Sequence, residues 1–550
     1  MLKKIILCLL AALLTSGCAK EKEAVMQKTQ TLKDAYADYF LIGNIVKGAN
    51  MDDSLYNILT THHNIATAEN DMKPQYLQKT KGVFTFDDAD AIVNKALSQG
   101  LKVHGHTLAW HQQSPTWMNE GVPRDEAVAN LTTHAKTVAE HFKDRVISWD
   151  VLNEAVADNP ANPADWKASL RQSPWLTAIG ADYVEIVFKA AREADPAAKL
   201  YYNDYNLDNT NKATAVYNMV KDINERNPDV NGRPLVDGIG MQGHYSSHTN
   251  PANVENSLQR FISLGVEVSI TELDIQSGEG GKQTDAQKIT QGLVYAALFN
   301  VFKQYADHIG RVTMWGIDDS SSWRKEACPT MFDGNLSPKP AFFAALDPDK
   351  FIAENKVDVE AKEAKQSEAV YGTPNLTDTT AWSQAPAIPI DSYLMAWQGA
   401  SGTAKVLWDE NSLYVLVNVN NAEMNKANQN AYEQDSVEVF IDENNGKTPF
   451  YEKDDGQYRV NFDNEATFNP ASISEGFESW ANVSGRSYTV SLKIPLRTIT
   501  AKEGDVIGFD AQINGASAQG ARQSVAMWND LSGSSYQDTS GLGLLKLTKQ

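Results

Sequence analysis

The stretch "SWDVLNEAV", Ser148–Val156, runs apolar and strand-like into a carboxylate at Glu154, and "SITELDIQ", Ser269–Gln276, does the same at Glu272, 118 positions later. Working outward, the same pattern recurs across the first two thirds of the chain. "FLIGNIV", "NIATAEN", "KVHGHTLAW", "VISWDVLNE", "KLYYNDYN", "VDGIGMQGH", "VSITELD" and "VTMWGIDD" alternate with helix patterns such as "ADAIVNKALSQG" and "DEAVANLTTHAKTVAEHF". Eight short apolar runs interleaved with helices predict an α/β fold, a (β/α)8 TIM barrel over 32–350. In that fold functional groups stand where strands end, and nearly every run here finishes in Asn, Glu, His, Trp or Asp.

The remaining chain reads differently. Residues 351–368 are charged and poor in aromatics, which predicts a linker. From 369 to 550 period-two runs such as "AKVLWDENSLYVLVNVN" and "SYTVSLKIPL" are separated by Gly, Asn and Asp. They predict a second, all-β sandwich domain.

At the other end, "MLKKIILCLLAALLTSGCAK" opens with Lys3 and Lys4, followed by a short apolar run and small residues before a cysteine. This predicts a signal peptide of lipoprotein type over 1–17 and a polar tether over 18–31. "LTSGC" resembles a lipoprotein cleavage box in which Cys18 is acylated, and Ala19 after it favours outer-membrane or cell-surface sorting; ordinary secretion with a free Cys18 is the alternative. Any membrane association is then expected through the lipid on Cys18 alone. Of the three cysteines only Cys328 remains in the domains, so no disulfide is expected. The net charge of −21 argues against nucleic acid as a partner.

Glycosidic cleavage commonly takes two carboxyl groups, one to protonate the leaving oxygen and one to meet the anomeric carbon. Strands four and seven of a barrel lie on opposite sides of its mouth, so Glu154 and Glu272 can face one substrate. Each glutamate alone could equally cap a helix or pair with a basic residue. The surroundings weigh toward sugar: Trp110, Trp315, Trp323 and Tyr205 offer flat faces, and Asn70, Lys73, His106, Asn153, Gln242 and His244 offer hydrogen bonds. Trp149 reads as packing, since burial is the default use of an indole. No HExxH pattern accompanies the histidines, so no catalytic metal or cofactor is expected.

Together "ENDMK", "HGHTLAWHQQSPTW", "WDVLNE", "SLRQSPWLTAIGADYV", "NDYN", "GIGMQGH", "ITELD", "WGIDDSSSW" and "FDGNLSPKPA" resemble the motifs of glycoside hydrolase family 10, the endo-β-1,4-xylanases. The resemblance implies retaining hydrolysis of xylan and xylo-oligosaccharides, with Glu154 as acid/base and Glu272 as nucleophile, about 5 Å apart. It implies that Asn153 bonds the sugar 2-hydroxyl, that His244 orients Glu272, and that Gln242 bonds Glu272 or the sugar. His106, Trp110, Trp315 and Trp323 would form the cleavage subsite, Glu69, Asn70 and Lys73 the next donor subsite, and Asn203 and Tyr205 the acceptor side. Repulsion from Glu272 and partial burial are expected to keep Glu154 protonated. A monomer is expected.

The second domain, through "VLWDENSLYVLVNV", "YEQDSVEVFIDENN", "DGQYRVNFDNE" and "IGFDAQINGASAQGAR", resembles family 9 carbohydrate-binding modules. The resemblance implies binding of plant polysaccharide, xylan or cellulose, including chain ends gripped between rings. Trp528 and Tyr432 would supply the rings and Glu438, Arg459 and Asn461 the hydrogen bonds. A structural calcium ion is implied as well, with "DENN" and "EKDDG" as its candidate loops. Two other readings compete with the xylanase: a surface glycan-binding protein without catalysis, and a hydrolase of another β-1,4-glycan.

Overall fold

The computed structural model describes residues 31–549 apart from 49, 159, 161, 229–232, 248, 250, 356–363, 396–398 and 531–532. The stretches expected as a signal peptide and a tether, Cys18 included, lie outside the described residues except for residue 31. No helix among the described residues is long and apolar enough to cross a membrane. The chain divides into two compact units, one of residues up to Ser247 together with Ser257–Ile352, the other of His248–Asn256 together with Ala353–Gln550.

The first unit is a closed parallel barrel. Its strands are β1 (Leu41–Val46), β2 (Ile65–Ala68), β3 (Lys102–Trp110), β4 (Ser148–Asn153), β5 (Lys199–Asp204), β6 (Gly238–Met241), β8 (Glu267–Gln276) and β9 (Ile309–Met314), with a three-residue β7 (His244–Ser246) as an addition. The order β6-β5-β4-β3-β2-β1-β9-β8 closes through parallel pairing of β6 with β8. These are the eight runs expected from the sequence. They read as continuous apolar runs because barrel strands are covered on both faces: every residue of β2 and β4 is buried. Helices cover the outside with one apolar face, as in Tyr183–Ala194, which buries Tyr183, Val184, Val187, Phe188 and Ala191. Trp149 packs as expected. It is fully buried, and its ring occupies the space beside Gly105, where a Cβ would lie 2.2 Å from the indole.

Two sequence boundaries need correction. Glu272 does not end its strand, because β8 runs on to Gln276 by pairing with β7, His244 opposite Asp274. Helix Pro348–Glu354 enters the stretch 351–368, expected as a linker, from one side and strand Gln366–Tyr371 from the other, and residues 356–363 between them lie outside the described residues.

The second unit is all β. Its strand path joins two arms, one through Ser401–Asp409, Ser412–Asn420 and Ser487–Pro495, the other through Ser436–Asp442, Asp455–Asn461 and Val506–Ala516. Alternate residues of both arms, among them Val406, Val415, Val417 and Val490 from one and Val437, Val439, Phe509 and Ile513 from the other, share one core. That is the β-sandwich arrangement predicted from the period-two pattern.

Candidate active site and binding pocket

The C-terminal ends of the barrel strands surround a cleft of about 510 Å³. Glu69, Asn70, Lys73, His106, Trp110, Asn153, Glu154, Tyr205, Gln242, His244, Glu272, Trp315 and Trp323 all line it, so the structure brings together every barrel residue singled out in the sequence except one. The exception is Asn203. Rather than reaching the acceptor side, it is fully buried and donates from Nδ2 to Glu272 Oε1 at 2.8 Å and to Asn153 Oδ1 at 2.9 Å. Thr271 fixes that orientation by donating to Asn203 Oδ1 at 2.6 Å. Gln112, Asn206 and Arg324 line the cleft too and were not singled out, since they sit in loops without periodicity, although Gln112 and Asn206 fall inside "HGHTLAWHQQSPTW" and "NDYN".

Glu154 follows β4 with a left-handed backbone, φ 56°, and its N–H donates to Asn203 O at 2.8 Å. Its carboxyl accepts from Trp110 Nε1 at 2.8 Å and from Gln242 Nε2 at 2.9 Å. Of the two glutamates Gln242 therefore bonds Glu154 and not Glu272, where the resemblance had implied Glu272 or the sugar. Burial pushes the Glu154 pKa above the ordinary glutamate value; repulsion from Asp204 comes next, and Glu272 adds less than Asp204. The sequence argument had the direction right but put Glu272 foremost.

Glu272 goes the other way. Burial alone would raise its pKa, but the hydrogen bond from His244 and the attraction of His106 and His244 outweigh it and hold the carboxyl below its ordinary value. His244 Nε2 stands 3.2 Å from Glu272 Oε2, and its Nδ1 stands 3.1 Å from Asp274 Oδ1. Although burial opposes it, Asp274 first and then Glu272 push the imidazole up to about 9, so it is a cation between two carboxylates at neutral pH. Asp274 in turn accepts from Trp323 Nε1 at 2.9 Å and from Arg324 Nη1 at 3.2 Å.

The remaining residues flank this pair. His106 Nδ1 lies 2.9 Å from Asp150 Oδ2, and its ring meets Trp315 edge-on at 5.4 Å. His106, Asp150 and Glu272 bring ligand-type atoms within 4.8 Å of one another, but the same atoms are engaged with each other, with His104 and with His244. Lys73 donates to Asn70 Oδ1 at 3.0 Å and lies 5.2 Å from the Trp110 ring centre. Glu69 faces Lys47 at 3.7 Å. Tyr205 accepts from Arg171 Nη2 at 2.7 Å and donates to Asp158. Trp323 leaves 54% of its surface open, with the Arg324 guanidinium 4.5 Å from its ring centre.

In the second unit a pocket of about 450 Å³ gathers Tyr432, Glu438 and Arg459, three of the five residues expected there. Glu438 and Arg459 are cross-strand neighbours and pair at 2.8 Å. Trp528 is not in the pocket. It is 3% exposed and packs on Phe509 in the core, in space that Gly543 leaves for its ring. Asn461 turns away as well, donating to Gln434 and Glu465. The second exposed ring is Tyr536, which lies in a loop and gave no pattern. Elsewhere in this unit Asp442, Asp454 and Asp455 come from the loops "DENN" and "EKDDG" and place buried carboxylate oxygens within 4.8 Å of one another. Burial raises the pKa of Asp454 and Asp455, and repulsion from Asp442 adds to it. An all-oxygen set of this kind suits a hard cation such as calcium.

A parallel barrel that holds two buried carboxyl groups at opposite protonation preferences beneath a cleft of aromatic and amide side chains has the site of the barrel glycoside hydrolases. The chain belongs to glycosyl hydrolase family 10, whose model matches residues 31–348, and the model of the carbohydrate family 9 binding domain-like group matches residues 376–550. It is similar to endo-1,4-beta-xylanase A of Thermoanaerobacterium saccharolyticum, 31% identical over 94% of this chain and 59% of that protein. It is similar also to exoglucanase XynX of Acetivibrio thermocellus, 32% identical over 94% of this chain and 63% of that protein. The chain thus spans about three fifths of the length of these curated relatives. Among solved structures, the intracellular xylanase of Thermoanaerobacterium saccharolyticum with xylotetraose is 38% identical, with a TM-score of 0.53 over 57% of this chain and 98% of that one.

The His244 cluster sets a pH dependence of stability. Because folding raises the imidazole from 6.5 to about 9, its stabilisation is complete below pH 6.5 and is lost as pH rises through 9. Denaturant unfolding of the barrel should therefore lose on the order of 2–3 kcal/mol between those limits from this residue. In His244→Gln that slope should flatten; an unchanged slope would assign the loss to other groups.

Proposed function

We propose that this chain is an endo-β-1,4-xylanase that cleaves xylan with retention of configuration, working as a monomer. The observation that carries the reading is the split between the two glutamates, Glu154 held toward the neutral acid and Glu272 toward the anion, within one aromatic cleft. In the first step Glu272 attacks the anomeric carbon while Glu154 gives its proton to the departing oxygen. The charge on Glu272 is spent in the ester bond, so repulsion on Glu154 falls. It can then take a proton from the water that releases the sugar. Asn153, which donates to Glu154 Oε1 at 3.3 Å, is placed to reach the sugar 2-hydroxyl beside the acid. Names of several relatives support the substrate class. The relative named exoglucanase favours one second reading, hydrolysis of another β-1,4-glycan, which product analysis on linear xylan and soluble cellulose separates from the first.

Three further parts belong to this reading. The second unit binds plant polysaccharide, xylan or cellulose, through the pocket of Tyr432, Tyr536, Glu438 and Arg459. Asp442, Asp454 and Asp455 hold a structural calcium ion, whose charge would relieve the repulsion among them. Cys18 carries a lipid that attaches the exported enzyme to the outer membrane or cell surface, with plain secretion as the alternative.

Replacing Glu272 by Ala should abolish turnover of xylan and aryl xylobiosides, and azide should restore it with an inverted product. Replacing Glu154 by Ala should cost roughly 10²–10⁴-fold on xylan. It should cost far less for formation of the glycosyl-enzyme from substrates with good leaving groups. Equal losses on both substrate types would remove Glu154 from the acid role. Removing calcium with a chelator should lower the melting temperature of the second unit by about 5–10 °C, given roughly 2–4 °C per kcal/mol for a domain of this size. Asp455→Asn should make the melt insensitive to the chelator. Full-length protein should fractionate with membranes and Cys18→Ala should release it, with activity on soluble xylan unchanged.

A further inference from the structure

The pocket of the second unit contains one cation too many. Glu438, its buried carboxylate, is engaged on both oxygens: it accepts from Arg459 Nε at 2.8 Å, from Asn514 Nδ2 at 2.6 Å and from Gln457. The second guanidinium of the pocket, Arg522, has no such partner. Its Nη1 reaches only Asn514 Oδ1, at 3.5 Å, and its backbone N–H bonds Glu433 at 2.7 Å. Among the described residues no carboxylate forms an ion pair with its guanidinium, although the chain as a whole carries a net charge of −21. The group lies 5.4 Å from the ring centre of Tyr432, half-buried, facing the cavity.

We propose that this pocket selects a carbohydrate bearing a carboxylate, a uronic acid residue, with Arg522 as the group that recognises the charge. The inference rests on the reading of this pocket as a carbohydrate site and adds the class of sugar. A guanidinium presents paired N–H donors in a plane, which fit the two oxygens of a carboxylate. Neutral sugar hydroxyls need a mixture of donors and acceptors, whereas the free groups of Arg522 are donors only. A uronic acid ring meets both demands of the cavity. Its CH face suits the exposed rings of Tyr432 and Tyr536, and its C6 carboxylate supplies the negative charge that Glu438, paired with Arg459, does not give to Arg522.

The test uses the full chain carrying Glu272→Ala, so that no sugar is turned over, titrated with D-glucuronate and D-glucose at one pH and ionic strength. Glucuronate should bind about tenfold or more tightly than glucose, the size of a charge-assisted hydrogen-bonded contact. Adding Arg522→Gln should abolish that preference by weakening glucuronate binding far more than glucose binding, and Arg522→Lys, which keeps the charge but not the fork, should retain part of it. Equal binding of the two sugars, or a preference that survives Arg522→Gln, overturns the assignment while leaving a neutral carbohydrate site intact. Failure of both sugars to bind would overturn the carbohydrate reading of the pocket together with it.

Discussion

Two carboxyl groups buried in one cleft cannot both be ionised at modest cost, so the protein around them has to decide which keeps the proton. Here the decision is made by what stands behind each carboxyl. Behind Glu272 is His244, held as a cation by Asp274, and Asp274 is itself bonded by Trp323 and Arg324. Glu154 is disfavoured as an anion first by its own burial, and behind it Asp204, a buried carboxylate, adds a field that disfavours a second negative charge. The same cleft thus offers a cation to one glutamate and, to the other, burial next to a second carboxylate.

The barrel makes this arrangement geometrically available. β4, β5 and β6 lie side by side, and the side chains at their ends form a row of amides: Asn153, Asn203 and Gln242. Asn203 donates to Glu272 and to Asn153, and Gln242 donates to Glu154 and, at 3.3 Å, to Asn153 Oδ1. An amide chain carries no net charge, so it fixes both carboxyls in place without erasing the difference between their surroundings. Arginine or lysine in the row would pull both toward the anion.

Much of this was legible in the sequence because parallel barrel strands are apolar on both faces and their polar ends stand out against them. Glu154, Glu272, His106, Gln242 and His244 were found that way. Asn203 was found but misplaced: a residue at a strand end can point into the barrel or out to the cleft, and only the contacts with Thr271 and Glu272 decide. Gln112, Asn206 and Arg324 had no periodicity to betray them. In the second unit the expectation of a ring at Trp528 failed because an indole in a β-sandwich is as easily core as surface. Tyr536 went unread because a tyrosine in a Ser- and Gly-rich loop has no pattern of its own.

The backbone at Glu154 follows from the same constraint. A glutamate at φ 56° stands in a region that non-glycine residues avoid, and it persists only where the surroundings over-determine it. Tyr202 does so from one side: its hydroxyl accepts from the N–H groups of Ala155 and Val156, each at 3.0 Å, and donates to Asp204. Arg171 does so from the other, with Nε donating to Glu154 O at 3.2 Å and Nη2 to Val156 O at 3.3 Å. Asp204 is kept in the interior by Lys212 at 2.8 Å, both side chains fully buried. Breaking such a pair typically costs about 3–5 kcal/mol, so Asp204 has little freedom to move. One buried carboxylate therefore both raises the pKa of the acid and anchors the turn that presents it, which ties the position of the proton donor to its protonation state.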